Sequence, residues 1–169
     1  MFSPNNPKRN WGWGLGPTFT FPSATKDELG SEKWQAGPVA AFVYKPKKAM
    51  MGILGQYWWD FAGDDDRSSV SHADILPFLF YSLPNQFEIG YFANITYDHL
   101  ADSGNKWNVP VGLMVGRLFE FGKVPVKIDL GGYYSAVHAD DDISDRWTFQ
   151  LVVTPVIKGL IKNPLFGGK

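Results

Sequence analysis

From Trp11 to Phe21 the chain alternates, with Trp11, Trp13, Leu15, Pro17, Phe19 and Phe21 on one parity and Gly12, Gly14, Gly16, Thr18 and Thr20 on the other. A period of two places these sets on opposite faces of a β-strand, one greasy and the other small and polar. The pattern recurs: Phe87, Ile89, Tyr91, Ala93, Ile95 and Tyr97 oppose Glu88, Gly90, Phe92, Asn94, Thr96 and Asp98. Val124, Val126, Ile128 and Leu130 oppose Lys127, Asp129 and Gly131, and Trp147, Phe149, Leu151 and Val153 oppose Arg146, Thr148, Gln150 and Thr154. Met50 to Phe61 and Ala73 to Tyr81 are apolar on both faces, so the pattern leaves their orientation open.

Runs without Asp, Glu, Lys, Arg or His mark the same elements: 10–25, 34–44, 49–59, 75–87, 89–97, 107–116, 147–157, and 128–137 interrupted only by Asp129. They predict eight strands. Most runs lie near the ~9–11 residues with which a tilted strand crosses a bilayer, a length soluble barrel strands also reach. The longest, Asn10 to Thr25, is rich in Gly, Pro and Thr and falls short of the ~20 apolar residues of a spanning helix.

The connections alternate. Pro22 to Lys33, Ala62 to His72, Asp98 to Lys106 and His138 to Arg146 are long; Lys45 to Lys48, Ser82 to Gln86 and Glu120 to Val124 are short. An up-and-down antiparallel sheet gives this alternation, with all long loops at one end. Those loops hold 12 of the 17 acidic residues, Asp64, Asp65, Asp66, Asp140, Asp141 and Asp142 among them, against five bases, a local net charge of −7. The whole-chain charge of −1 therefore hides an acidic end and a basic remainder. Nothing is basic enough for a nucleic-acid partner, and the length of 169 residues predicts one domain. With no Cys, a disulfide scaffold, a thiolate zinc site and a cysteine nucleophile are excluded. Trp11, Trp34, Tyr44, Tyr97, Trp107 and Trp147 fall at strand ends, where membrane barrels carry interfacial aromatic belts. A soluble barrel would instead turn its greasy face inward and set Gly12 to Thr20 toward solvent, where a glycine row stabilises nothing; inside a narrow barrel it makes room.

Longer stretches resemble a known family. Gly12 to Thr25, Leu29 to Pro38, Trp59 to Arg67, Leu76 to Leu79, Trp107 to Pro110 and Phe121 to Val126 are similar to bacterial outer-membrane transporters named after a phenol meta-cleavage pathway. The resemblance runs from Phe2 to about Ile157. It implies a Gram-negative outer-membrane β-barrel passing small, hydrophobic or aromatic compounds, with no catalytic residues. Family chains carry a signal peptide and further strands at the N-terminus, whereas Met1 to Thr25 lacks a charged n-region and an apolar h-region. The chain is thus expected to be a fragment or mature form. Residues 1–10 are then a periplasmic turn or the remnant of a preceding strand, 11–157 the barrel strands, and 158–169 a tail beyond the family's usual end.

Other chemistry is thin. His72, His99 and His138 share the long-loop end with the aspartates, but in no metal-binding motif, and solvated loop charge is the reading preferred. Ser135 and His138, with Asp140 nearby, suggest a hydrolase; residues three apart on a strand point to opposite faces, so no enzyme is expected. The sequon Asn94-Ile95-Thr96 falls mid-strand and carries no weight. Arg117 shares the lipid face of Val109 to Val115 and can snorkel to the interface. The inward set is Thr18, Thr20, Gln35, Glu88, Asn94, Thr96, Lys127, Asp129, Thr148, Gln150 and Thr154, which either pair across a lumen or line a passage.

The expectation is an all-β, antiparallel up-and-down transmembrane barrel, closed by eight strands or part of a larger one, with acidic loops outside and basic turns in the periplasm. Its expected partners are outer-membrane lipid and a small-molecule permeant, with no cofactor or metal. The rival readings are a structural or loop-binding membrane barrel without transport, and a soluble lipocalin-like barrel holding an apolar ligand.

Overall fold

The computed structural model describes residues 9–23, 30–122, 124–139 and 146–155. Among them the chain is all β: β1 (Trp11–Thr20), β2 (Lys33–Tyr44), β3 (Ala49–Gly63), β4 (Ser71–Ser82), β5 (Phe87–Phe92), β6 (Ile95–Asp98), β7 (Trp107–Phe121), β8 (Val124–Val137) and β9 (Trp147–Pro155). All pair antiparallel in one sheet of order β1-β2-β3-β4-β5-β7-β8-β9, with β6 continuing β5 between β4 and β7. The meander follows the alternation of long and short connections. Among the described residues β1 and β9 each have one neighbour, so the ladder is open at both edges.

Three details depart from the sequence reading. The single strand expected over Phe87 to Tyr97 is two, because β5 leaves its β4 partner after Phe92 and β6 regains it at Ile95. Continuing that register sets Ala93 opposite Pro77, and on the other side Asn94 opposite Pro110. Proline has no N–H for the ladder, so both neighbours fail at the same place. Second, the strands run past the charge-free runs at both the long-loop and the short-turn ends. Lys33, Ala62, Gly63, Ser71 and His72 belong to strands rather than loops, and β7 continues through Arg117 to Phe121. Third, bulges interrupt the ladder at Trp34/Gln35 and Val109/Pro110. The second sets Ala136 between Ser135, opposite Pro110, and Val137, opposite Val109. The parity rule applied to Ser135 and His138 therefore does not hold through this segment.

The short turns use local chemistry. Pro84–Gln86 forms a 3-10 turn in which Asn85 and Gln86 take positive φ, and Gly122 supplies a φ of 62° between β7 and β8.

Register sorts the side chains onto two faces. One is open and carries Trp13, Leu15, Phe42, Ile53, Leu79, Leu113, Leu130, Phe149 and Leu151, all exposed. The other is covered and carries Gly14, Gly37, Gly90, Gly116, Gln35, Lys33, Asp129 and Ser135, all buried. The ambiguous strands fall into line: β3 turns Met51, Ile53 and Trp59 to the open face, and β4 turns Leu79 and Tyr81 there. Among the described residues the buried hydrophobics are only Ala93, Met114, Tyr133 and Ala139. The usual sorting of a water-soluble domain is inverted.

Candidate functional site

The covered face is filled by rings set over glycines. A Cβ on Gly52 would lie 2.5 Å from the Phe78 ring, one on Gly90 2.6 Å from the Phe80 ring, and one on Gly112 2.7 Å from the Tyr133 ring. Gly131 lies against the other side of Tyr133, at 2.8 Å from its ring. Each ring occupies space that a side chain at these glycines would need, and at Gly52, Gly90 and Gly112 a carbonyl oxygen of the neighbouring strand lies closer still. Phe78, Phe80 and Phe92 form a row with centroids 6.2 and 6.0 Å apart.

Beside this row lies a charge cluster. Lys127 Nζ donates to Glu88 Oε1 at 2.5 Å and sits 3.1 Å from Asp129 Oδ1 and 5.1 Å from the centre of the Phe80 ring. Asp129 is 4 % exposed, and its carboxylate fills the space a Gly116 side chain would take. The ammonium is held by two carboxylates and a π-face, so the buried charge is compensated. Glu88 on β5 and Lys127 on β8 meet across β7, where Gly116 leaves the way clear.

The expected inward set sits on this face by register. Thr18 opposes Gly37, Thr20 opposes Gln35, Thr96 opposes Asn108, and Thr148, Gln150 and Thr154 oppose Tyr133, Gly131 and Lys127. The structure joins Glu88, Lys127 and Asp129, while Gln35 bonds instead to Ser31 Oγ at 2.9 Å. Thr20, Asn94, Thr148 and Thr154 are exposed. A second group comes together around a cavity of about 290 Å³ lined by Phe92, Asn94, Asn108, Pro110, Tyr133 and Gln150, among others. Asn108 and Gln150 are among its lining residues, and their carboxamide oxygens are buried without a hydrogen-bond partner.

Several residues here escape sequence reading. Lys33 and His72 were assigned to loops, and Asp74 lies on a strand apolar on both faces. Tyr133, 2 % exposed, sits among glycines and tyrosines without a polar signature. Only the register, which the chain does not spell out, brings them to one face.

The aromatics named for the rims are on the open face. Trp11 pairs with Tyr44 at the short-turn end. At the long-loop end Trp34 packs edge-on to Phe21 at 5.3 Å, Tyr97 lies 4.6 Å from Trp107, and Tyr134 lies 5.1 Å from Trp147. Arg117, also on that face, is stacked over Phe87 and Phe119 at 4.8 and 5.2 Å. Of the acidic-loop residues, Asp64, Asp65 and Asp66 are exposed, and Asp64 Oδ1 accepts the Asp66 N–H at 2.9 Å. Asp140, Asp141 and Asp142 lie outside the described residues, as do 1–8 and 156–169. Among the described residues no three His, Asp or Glu side chains converge as metal ligands. The Nδ1 atom of His138 meets the Ala139 carbonyl.

No protein-family model, curated protein or solved structure matches the chain.

Proposed function

We propose that the chain forms the wall of a bacterial outer-membrane β-barrel that allows passive passage of small molecules. The observation that carries this reading is the inversion of polarity. Among the described residues, all the exposed large apolar side chains except Met50, Leu83 and Leu100 lie on the open face, while the charges Glu88, Lys127 and Asp129 are on the covered one. An apolar patch of more than a few hundred Å² is unusual on a soluble monomer, and here it covers a whole face of the sheet. Hydrocarbon is the solvent that suits it. The soluble lipocalin-like alternative needs the opposite arrangement, with the greasy face within.

The up-and-down order, the rim aromatics and the resemblance to outer-membrane transporters support the same reading. In lipid an unpaired strand edge costs several kcal/mol per group, so β1 and β9 must be paired there, with each other or with further strands of one wall. Selection would rest on the width left by the rings and on the polar side chains facing within, without cofactor or energy coupling.

A specific observation also favours the second reading, a barrel that does not transport. The rings over Gly52, Gly90, Gly112 and Gly131 fill space that a bare glycine wall would leave open. Planar-bilayer recording on the intact protein separates the two. Discrete conductance steps and slowed solute uptake on gene deletion are expected; silent bilayers together with unchanged uptake would contradict passage.

A further inference from the structure

The longest break in the sheet's pairing among the described residues lies between β5–β6 and β7; a shorter one separates Gly37 and Pro38 on β2 from Tyr57 and Trp58 on β3. β5 pairs with β7 as far as Gly90 opposite Met114, and pairing resumes only on β6, where Thr96 faces Asn108. Between these points residues 91–95 and 109–113 run past each other with no backbone pairing. On the β4 side the interruption covers only Ala93 and Asn94. The Tyr91 hydroxyl reaches across the gap and donates to the Pro110 carbonyl at 2.6 Å. The Tyr91 ring also meets Tyr133 edge to face at 5.9 Å.

The two sides of this seam differ. Behind it is the cavity of about 290 Å³, with Phe92 and Tyr133 as apolar walls and, among its lining residues, Asn108 and Gln150, whose carboxamide oxygens are unpartnered. In front stand Leu79, Val111 and Leu113, exposed on the open face. Parting two paired strands over five residues breaks several ladder bonds. Here that ladder is already missing. Opening therefore releases the Tyr91 hydrogen bond and the Tyr91–Tyr133 ring contact without breaking a backbone ladder between β5–β6 and β7.

We propose that the seam between β5–β6 and β7 is a lateral portal, latched by Tyr91 on Pro110. It passes uncharged solutes, with an apolar body and one hydrogen-bond donor, between the covered face and the membrane hydrocarbon. The apolar body suits Phe92, Tyr133 and the lipid beyond; the donor suits the two free carboxamide oxygens. This inference rests on the proposed membrane-barrel reading and adds the route and the class of solute.

The chain has no cysteine, so the lips can be bridged cleanly by Ala93→Cys with Val111→Cys, closed by oxidation or a short bis-methanethiosulfonate. The probes are N-phenyl-1-naphthylamine, which is apolar with one N–H, and nitrocefin, which is anionic. Entry is measured in intact cells producing the protein, with bridging checked by mass spectrometry. Bridging should slow naphthylamine entry at least fivefold, reversibly with reductant, and leave nitrocefin entry unchanged; Tyr91→Phe, which removes the latch, should speed naphthylamine entry several-fold. Naphthylamine entry indifferent to both bridging and Tyr91→Phe would overturn the portal while leaving passage intact. Entry of both probes no faster than in cells lacking the protein would instead overturn the passage reading, and the portal with it.

Discussion

Glycine is the residue on which the covered face turns. Gly112 and Gly37 face backbone atoms, the carbonyls of Gly132 and Tyr57, so a methyl group there must move a strand. Gly12 has open space around it. Gly112→Ala and Gly37→Ala should each lower stability by about 1–3 kcal/mol, whereas Gly12→Ala should leave the unfolding midpoint in place, as judged by denaturant titration in detergent. Lys127 offers a second test. Removing its ammonium leaves Glu88 facing the buried Asp129 carboxylate without compensation. Lys127→Met is expected to cost about 3 kcal/mol in the same titration and to shift channel selectivity toward cations. An unchanged midpoint would deny the cluster a structural role. The glycine row and these three charges are legible in the alternation of the chain. What the glycines accommodate is not, because the rings over Gly52, Gly90 and Gly112 come from a neighbouring strand and depend on register.

At the scale of elements, the charge-free runs locate every strand but misplace their ends. Membrane strands are read by absence of charge, and Lys33, His72, Arg117 and Asp129 are charged or titratable residues that the sheet itself carries. The split between β5 and β6 is hidden for a different reason: the cause lies in Pro77 and Pro110 on the flanking strands, far away in sequence. Amides of 91–95 should therefore exchange with solvent or detergent-phase deuterium faster than those of 87–90, seen by mass spectrometry of overlapping peptides. Restoring an N–H with Pro110→Val should bring the two rates closer together. Equal rates in the unsubstituted protein would mean that the ladder is continuous in solution. The bulge at Ala136 is equally silent in sequence, and it changes the geometry at Ser135 and His138 that strict alternation would give.

For the whole molecule, the account rests on which solvent meets which face. A folded domain retains only about 5–15 kcal/mol of net stability, and leaving this many large apolar side chains in water would forgo more than that. The protein should accordingly partition into detergent or lipid and aggregate without them. On the proposed membrane reading the acidic long-loop end, with Asp64 to Asp66, faces outward and the basic short-turn end faces the periplasm. The most direct test uses the cysteine-free background: single spin labels at Leu15, Leu113 and Leu151 on the open face and at the accessible Thr20, Thr148 and Thr154 on the covered face of the reconstituted protein. Electron paramagnetic resonance should find the first three accessible to oxygen, which concentrates in hydrocarbon, and the second three not. Open-face labels accessible to a water-soluble nickel complex and sheltered from oxygen would contradict the membrane reading outright.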